Sequence, residues 1–576
     1  MKKFMSLFLA GVLSVGLVGC GGGKEKPEDA QKPDNPPVQE EGEKKVGGTL
    51  VAGVTEMSGN FNPAYYQSAY DGHVVDMVFQ KLVDFNVKGE CEPQACKDWE
   101  VTNDGKDIVF HMKDDMTFSD GEKVTADDVV FTYKMLADPS YTGRYGSAVK
   151  DMVGYEEFSS GKTEEFKGVV KEDDYTVRFC FKEALRTNLE QGSQGILPEH
   201  YYGKNYKVGD TSSIEAITTE PIGSGPYVLE KFSEGEFASL KRRADYKGEG
   251  YLIEKVMCKF VDNTTDIVEL TSKEVDLLPG VVEPKKIDQA RQKDFLTENH
   301  YDRSGYGYCK FNCEGGATAD KKVRQALYYA FDIQQFVDTY YADEITGKPL
   351  ASVQYHPFSQ VSWAIDDALL SQMTAYKYDI EKSKSILDEA GWKVGSSGYR
   401  EKDGKVLEIK VAAMPDHDIL ATLIPMWQKS WGEDLKCKVE VAYLEFNPMM
   451  DLVQSNADAN LDQWSIYFMA NTIGSADPHS IYSDFHSDYI GSGKDNTCRY
   501  NNPEVDKLLD QGKGILDKEE AKPIYQKIAK ILNEDAPMMP VYANTYYDLY
   551  NKKIKNLNTS PFCNWAKVLK DAYIEE

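Results

Sequence analysis

The sequence predicts a mixed α/β protein, and three observations carry the prediction. Runs of alternating, β-branched and aromatic residues lead repeatedly into stretches whose apolar residues recur every three or four positions, strand followed by helix. No internal repeat interrupts that alternation. Beyond an apolar leader some 530 residues remain, from about Gly47 to Glu576, more than one hydrophobic core accommodates, so two or three domains are expected.

The leader comes first. Met1-Lys2-Lys3 is a positive start, and Phe4 to Val18 is almost wholly apolar. That run falls short of the roughly 20 residues of a bilayer span but suits an export signal, residues 1–19. Its end, Leu17-Val18-Gly19-Cys20, matches the lipobox of bacterial lipoproteins, in which the cysteine is acylated and becomes the new N-terminus. Cys20 is therefore the expected lipidation site, an anchor strengthened by about 0.8 kcal/mol per buried methylene. Residues 20–46, rich in Gly, Pro, Glu, Lys and Gln, have almost nothing to bury and read as a disordered tether. Gly21 and Gly22 follow the cysteine with no aspartate, which favours the surface of a single-membraned cell, or the periplasmic face if the cell has two membranes.

The folded elements follow in order. Cys91 and Cys96 flank Glu-Pro-Gln-Ala, a turn-like insert able to bring the two thiols together. Asp107 to Phe118 alternates as a half-buried strand, and Thr125 caps the helix after it. Gly223-Ser224-Gly225, in "TEPIGSGPYVLEKF", lacks the third glycine and the helix of a nucleotide-binding loop. It reads as a turn before the strand Tyr227–Phe232, its glycines allowing positive φ or close backbone approach. Cys309 and Cys313, about 13 Å apart if they share a strand, do not bond each other. Val323, Leu327, Ala330 and Phe331 make one helix face, and Gly391 ends a later helix after Ala390. Two amphipathic helices close the series, the second stopped by Pro537.

The composition excludes several classes. A net charge of -28 argues against a nucleic-acid partner, because phosphate backbones need clustered Lys and Arg. No second long apolar run appears, and no pair of CxxC motifs suggests structural zinc. There is no G-x-S-x-G elbow, H-E-x-x-H helix or CxxC redox pair, so an enzyme such as a secreted hydrolase is disfavoured.

Several segments, in order, closely resemble the bacterial extracellular solute-binding family 5, the oligopeptide-, dipeptide- and nickel-binding proteins of ABC importers. They are "CKDWEVTNDGKDIVFHMKDDMTFSDGEKVTADDVVFTYK", "PIGSGPYVLEKF" with its later "RADY", "KKVRQALYYAFDIQQFV", "ILDEAGW" and "YNNPEVDKLLD". The resemblance covers the chain after Gly47. It implies a two-lobed fold of the periplasmic-binding-protein kind, type II, with an extra inserted domain and a ligand cleft between the lobes. Residues 47–91, 219–318 and 539–576 would form one lobe, 92–218 the inserted domain, and 319–538 the other lobe. No cofactor or bound metal is implied. The expected partners are a peptide ligand, the permease subunits in the membrane and the membrane itself through the lipid; the expected state is a monomer.

Family ligand contacts usually lie where this chain has "NFNPAYYQSAYDG" and "QWSIYFMANTIGSADPHSIYSDF", so Tyr65, Tyr66, Tyr467, Phe468, Asn471 and Asp477 are the expected ligand-binding residues, with Trp464 left in the core. One departure stands out. Well-known peptide binders of the family carry an amine-binding aspartate four residues before the proline of the "DP" pair, and here that position is Gly474, leaving Asp477 as the nearest acid. The rival cargoes are nickel, for which Asp477, His479, Asp484 and His486 supply suitable atoms at no compact spacing, and an oligosaccharide. A signalling lipoprotein on the same fold is the remaining alternative.

Overall fold

A twelve-stranded sheet runs through the protein and sets the positions of everything else. The computed structural model describes residues 45–575 apart from 56 and 416. The expected acylation of Cys20, the signal peptide and most of the tether lie outside the described residues. The alternation of strands and helices gives the expected mixed α/β class.

Strand Gly47–Val54 runs parallel to Ile253–Phe260, with Gly47 opposite Ile253 and Val54 opposite Phe260. A parallel pair needs a long crossover, and some 170 residues leave the sheet after Val54 before the chain returns to it at Tyr227. Antiparallel strands Phe237–Arg242 and Tyr227–Ser233 complete that edge. On the other side of Gly47–Val54 come Leu277–Val281 and then Met538–Asn551. This last strand, of 14 residues, spans both halves of the sheet. Its second half pairs with Leu296–Asp302, its first with Gly307–Phe311, and beyond Gly307–Phe311 lie Ile466–Ala470, Glu408–Ala413 and Lys438–Tyr443. Pro540, which has no N–H to give, sits where the register against Gly307–Phe311 slips, the position a sheet tolerates for proline.

The crossover carries a four-stranded antiparallel sheet of Cys96–Thr102, Asp107–Met112, Thr176–Cys180 and Val169–Asp173. The strand expected to reach Phe118 ends at Met112, because Lys113-Asp114-Asp115 turns away to lead toward helix Ala126–Leu136. Thr125 caps that helix in a reciprocal box with Asp128. In the second half, helices Lys321–Tyr329, Ile380–Glu389, Pro503–Lys513 and Lys518–Asp535 each begin on an Asp or Asn whose side chain accepts a first-turn N–H. Gly391, at φ 88°, follows the second of them, and Pro537 lies beyond the last.

Of the two roles expected for Gly223 and Gly225, positive φ or close backbone approach, the structure shows the second: they let the chain pass against the end of helix Ala69–Val78, where a Cβ on Gly223 would meet the Val78 carbonyl oxygen at 2.1 Å. Buried Arg243 ties this turn to the segment beside it, donating to the carbonyls of Gly223 and Gly225 at 3.5 and 3.4 Å and to those of Thr117 and Phe118 at 3.0 Å each. Cys91 and Cys96 are free thiols, as are the other seven described cysteines. Glu92 and Pro93 continue strand Cys91–Pro93 against Val83–Phe85, so the insert extends the chain instead of turning it.

Candidate functional site

A cavity of about 590 Å³ opens beside the middle of the sheet, a size suited to a small ligand. Helix Ala69–Val78 supplies one wall. Ala69, Gly72, His73 and Asp76 recur at helical spacing and so share the face that lines it. Strand Met538–Asn551 supplies another, on its even-numbered face. Tyr546 and Asp548 line the cavity, while Tyr547 and Leu549 point the other way into a core with Leu278 and Leu296. Tyr145 with Arg144, Gly195, Arg303, Thr472 and Trp565 close the remaining sides.

The lining combines aromatic faces with charges of both signs. The Arg144 guanidinium lies 5.6 Å from the ring of Tyr66 and 5.3 Å from that of Tyr145. Arg303 lies 5.7 Å from the Tyr546 ring and donates to the Asn471 carbonyl at 2.8 Å and to Thr472 Oγ1 at 3.1 Å. Among the described residues neither arginine has a carboxylate within ion-pairing distance; Arg144 donates to the Gln67 carbonyl at 3.3 Å, and Arg303 Nε is buried without a hydrogen bond. The Trp565 indole N–H donates to His73 Nδ1 at 3.1 Å, and burial pushes the imidazole pKa down to about 4, so His73 is neutral near pH 7.

At the floor, Lys81 bridges Asp76 at 3.1 Å and Asp84 at 3.2 Å, and Lys567 holds Asp84 at 2.8 Å. Burial opposes ionisation of both aspartates, but the two lysines outweigh it and hold each pKa below the usual carboxylate range. Asp548 differs. It accepts from the Gly280 amide at 2.7 Å and from the Thr559 hydroxyl, has no cation beside it among the described residues, and burial raises its pKa to about 6.

The six sequence-predicted residues do not come together around this cavity. Tyr66 lines it. Asn471 sits at its edge, accepting from the Tyr306 amide through Oδ1 at 3.0 Å and from Arg303 through its carbonyl. Tyr65 is buried against Tyr141, their rings 5.2 Å apart. Tyr467 and Phe468 are buried on opposite faces of the central strand Ile466–Ala470, Tyr467 bonded to Thr497 Oγ1 at 2.6 Å and packed on Trp464. Asp477 is buried in an ion pair with Arg186, Nε to Oδ2 at 2.9 Å. His479 and His486 lie near it in the chain, yet no group of three or more His, Cys, Asp or Glu side chains among the described residues is arranged to hold a metal ion. No described helix is long and apolar enough to cross a membrane.

Sequence reasoning missed Arg144, Arg303, Trp565 and Asp548. Only Asp548 left a signal, as a lone acid inside the apolar and aromatic run "VYANTYYDLY".

A family model described as "Bacterial extracellular solute-binding proteins, family 5 Middle" matches residues 90–493. The chain is 27% identical over 546 residues to the oligopeptide-binding protein AppA of Bacillus subtilis, covering 93% of this chain and 92% of that protein. It is also 27% identical over 503 residues to heme-binding protein A of Haemophilus influenzae, covering 84% and 85%. The solved structure of Bacillus subtilis AppA in complex with a nonapeptide superposes with a TM-score of 0.71 at 24% identity, covering 93% of this chain and all of that one.

Proposed function

Since the chain belongs to the bacterial extracellular solute-binding proteins of family 5, we propose that it is the substrate-binding component of an ABC importer and that its substrates are peptides. Proteins of this family bind a solute outside the cytoplasmic membrane and do not transform it. Ligand held between two lobes is touched by both only when they close, so binding energy shifts the population toward the closed form that a permease receives.

The observation that carries the peptide reading is the chemistry of the cavity. Among the described residues it places two arginines without acid partners, an aspartate without a cation and several aromatic faces around one volume. That set matches a molecule with an ammonium group, a carboxylate and side chains between them. Nickel calls for a cluster of metal ligands, which the described residues do not form, and neutral sugars leave the charges unused.

Lobes made of residues 47–91, 219–318 and 539–576 and of residues 319–538, with residues 92–218 inserted, belong to the same proposal. The sheet pairing favours moving the lobe junctions from 318 and 539 to about 303–306 and Asn544, because Gly307–Phe311 pairs with Ile466–Ala470 and with the first half of Met538–Asn551. Tyr66 and Asn471 act at the ligand, and Tyr65, Tyr467, Phe468 and Asp477 support the walls. Acylation of Cys20 would keep a monomeric binder at the membrane beside its permease. Deleting the gene should abolish peptide uptake, and wild-type protein but not Cys20→Ala should restore it. Unchanged uptake in the deletion strain would remove the transport reading.

A further inference from the structure

Nine aspartates in the described chain are less than a tenth exposed. Five have a cation within 4 Å: Asp266, Asp276, Asp288, Asp343 and Asp477. Of the four that do not, three satisfy themselves with protein donors. Asp71 accepts from the Ser58 amide and hydroxyl and the Gly59 amide. Asp128 accepts from the Thr125 amide and hydroxyl and the Glu199 amide. Asp138 accepts from the Ser140 amide and hydroxyl, the Tyr206 hydroxyl and the Gly209 amide. None of these three lines the cavity.

Asp548 is the fourth, and it does line the cavity. It is 1% exposed and, among the described residues, takes only two hydrogen bonds, one on each oxygen, from Gly280 and Thr559. A carboxylate offers about four acceptor positions, so capacity is left over. An ionised carboxylate buried without a counter-charge is costly, and an incoming cation removes that cost. A merely structural tie between Gly280 and Thr559 would be served by an uncharged amide.

We propose that Asp548 receives the ammonium group of the bound ligand, the contact that Gly474 cannot make. This rests on the peptide reading above and names the residue that selects for a free amine. Arg303 supplies the opposite charge in the same cavity, its guanidinium over the Tyr546 ring and donating to the Asn471 carbonyl and Thr472 Oγ1.

The test uses the mature chain and two random tetrapeptide libraries, one with free amino termini and one N-acetylated, competing for the protein with the bound fraction read by native mass spectrometry. Wild type should prefer the free-amine library by tenfold or more. Asp548→Asn keeps an acceptor for Gly280 and a partner for Thr559; it should lose 10- to 100-fold in affinity for free-amine peptides, while acetylated peptides change by less than about threefold. Thr559→Val deletes one hydrogen bond, keeps the charge, and should keep the preference. Equal weakening of both libraries in Asp548→Asn, or loss of preference in Thr559→Val as large as in Asp548→Asn, overturns the proposal. Equal affinities in wild type overturn it without any variant. Failure of wild type to bind either library instead overturns the peptide reading, and the anchor with it.

Discussion

Arg186 holds Asp477 through two hydrogen bonds, Nε to Oδ2 at 2.9 Å and Nη2 to Oδ1 at 3.2 Å, with both side chains 5% exposed. The guanidinium is otherwise spent on the carbonyls of Gly512 and Ile515 and on the Tyr525 hydroxyl, and it stacks 5.4 Å from Trp363. The helical turn Arg186–Gly192 is thereby fastened to the region around helices Pro503–Lys513 and Lys518–Asp535. Ser475 adds a hydrogen bond to Glu190 at 3.0 Å in the same contact.

Removing one partner leaves a buried, unpaired charge, so Asp477→Ala should lower unfolding free energy by about 3–5 kcal/mol. The double variant Asp477→Ala with Arg186→Met should lose less than the sum of the singles. Urea unfolding of the four proteins measures this. Because the Asp477 carboxylate already serves Arg186, Asp477→Ala should weaken free-amine and N-acetylated peptides by the same factor. Selective loss of free-amine binding would instead make Asp477 the amine contact.

The buried carboxylate of Asp548 has a pH signature. Its folded-state pKa, about 6, is above the unfolded value of about 3.9, so the folded state holds the extra proton between those limits. Its contribution to stability is present below about pH 4 and is lost as pH rises through 6. The difference in unfolding free energy between wild type and Asp548→Asn, which cancels the other carboxylates, should shift by about 2 kcal/mol against wild type from pH 4 to pH 7. A flat difference would show that the carboxylate is not desolvated as the geometry has it.

The turn before strand Tyr227–Ser233 is built by close approach. A Cβ on Gly223 would lie 2.1 Å from the Val78 carbonyl oxygen, and one on Gly225 would lie 2.5 Å from that of Met77. Backbone cannot yield as a side-chain tip can, so Gly223→Ala should cost about 1–3 kcal/mol, the range of overpacking. Thermal or urea unfolding reads it, and a variant as stable as wild type contradicts the geometry.

Local chemistry made much of the fold legible. Thr125, Gly391 and the strand after Gly225 act within a few residues of their own position, and each lies where the sequence puts it. The site was legible only in part, because burial depends on what covers a residue. Tyr467 and Phe468 sit on a central strand covered on both faces, so alternation could not reveal a ligand-facing side. Tyr65 and Tyr66 are chain neighbours, yet one enters the core and the other the cavity. Asp477 meets an arginine 291 positions away, and Asp548 meets a glycine 268 away, pairings no local pattern encodes. The Glu-Pro-Gln-Ala insert misled because Pro93 is also at home at the end of a short edge strand.

Whether this cavity holds a short peptide is decided by native mass spectrometry of the mature protein incubated with a mixture of di- to tetrapeptides. One added mass per chain that fragments into a peptide of that length, and that is lost from an Arg303→Met, Asp548→Asn double variant, is the predicted result. A chain that takes up no peptide but retains haem, nickel or a sugar under the same conditions would contradict it.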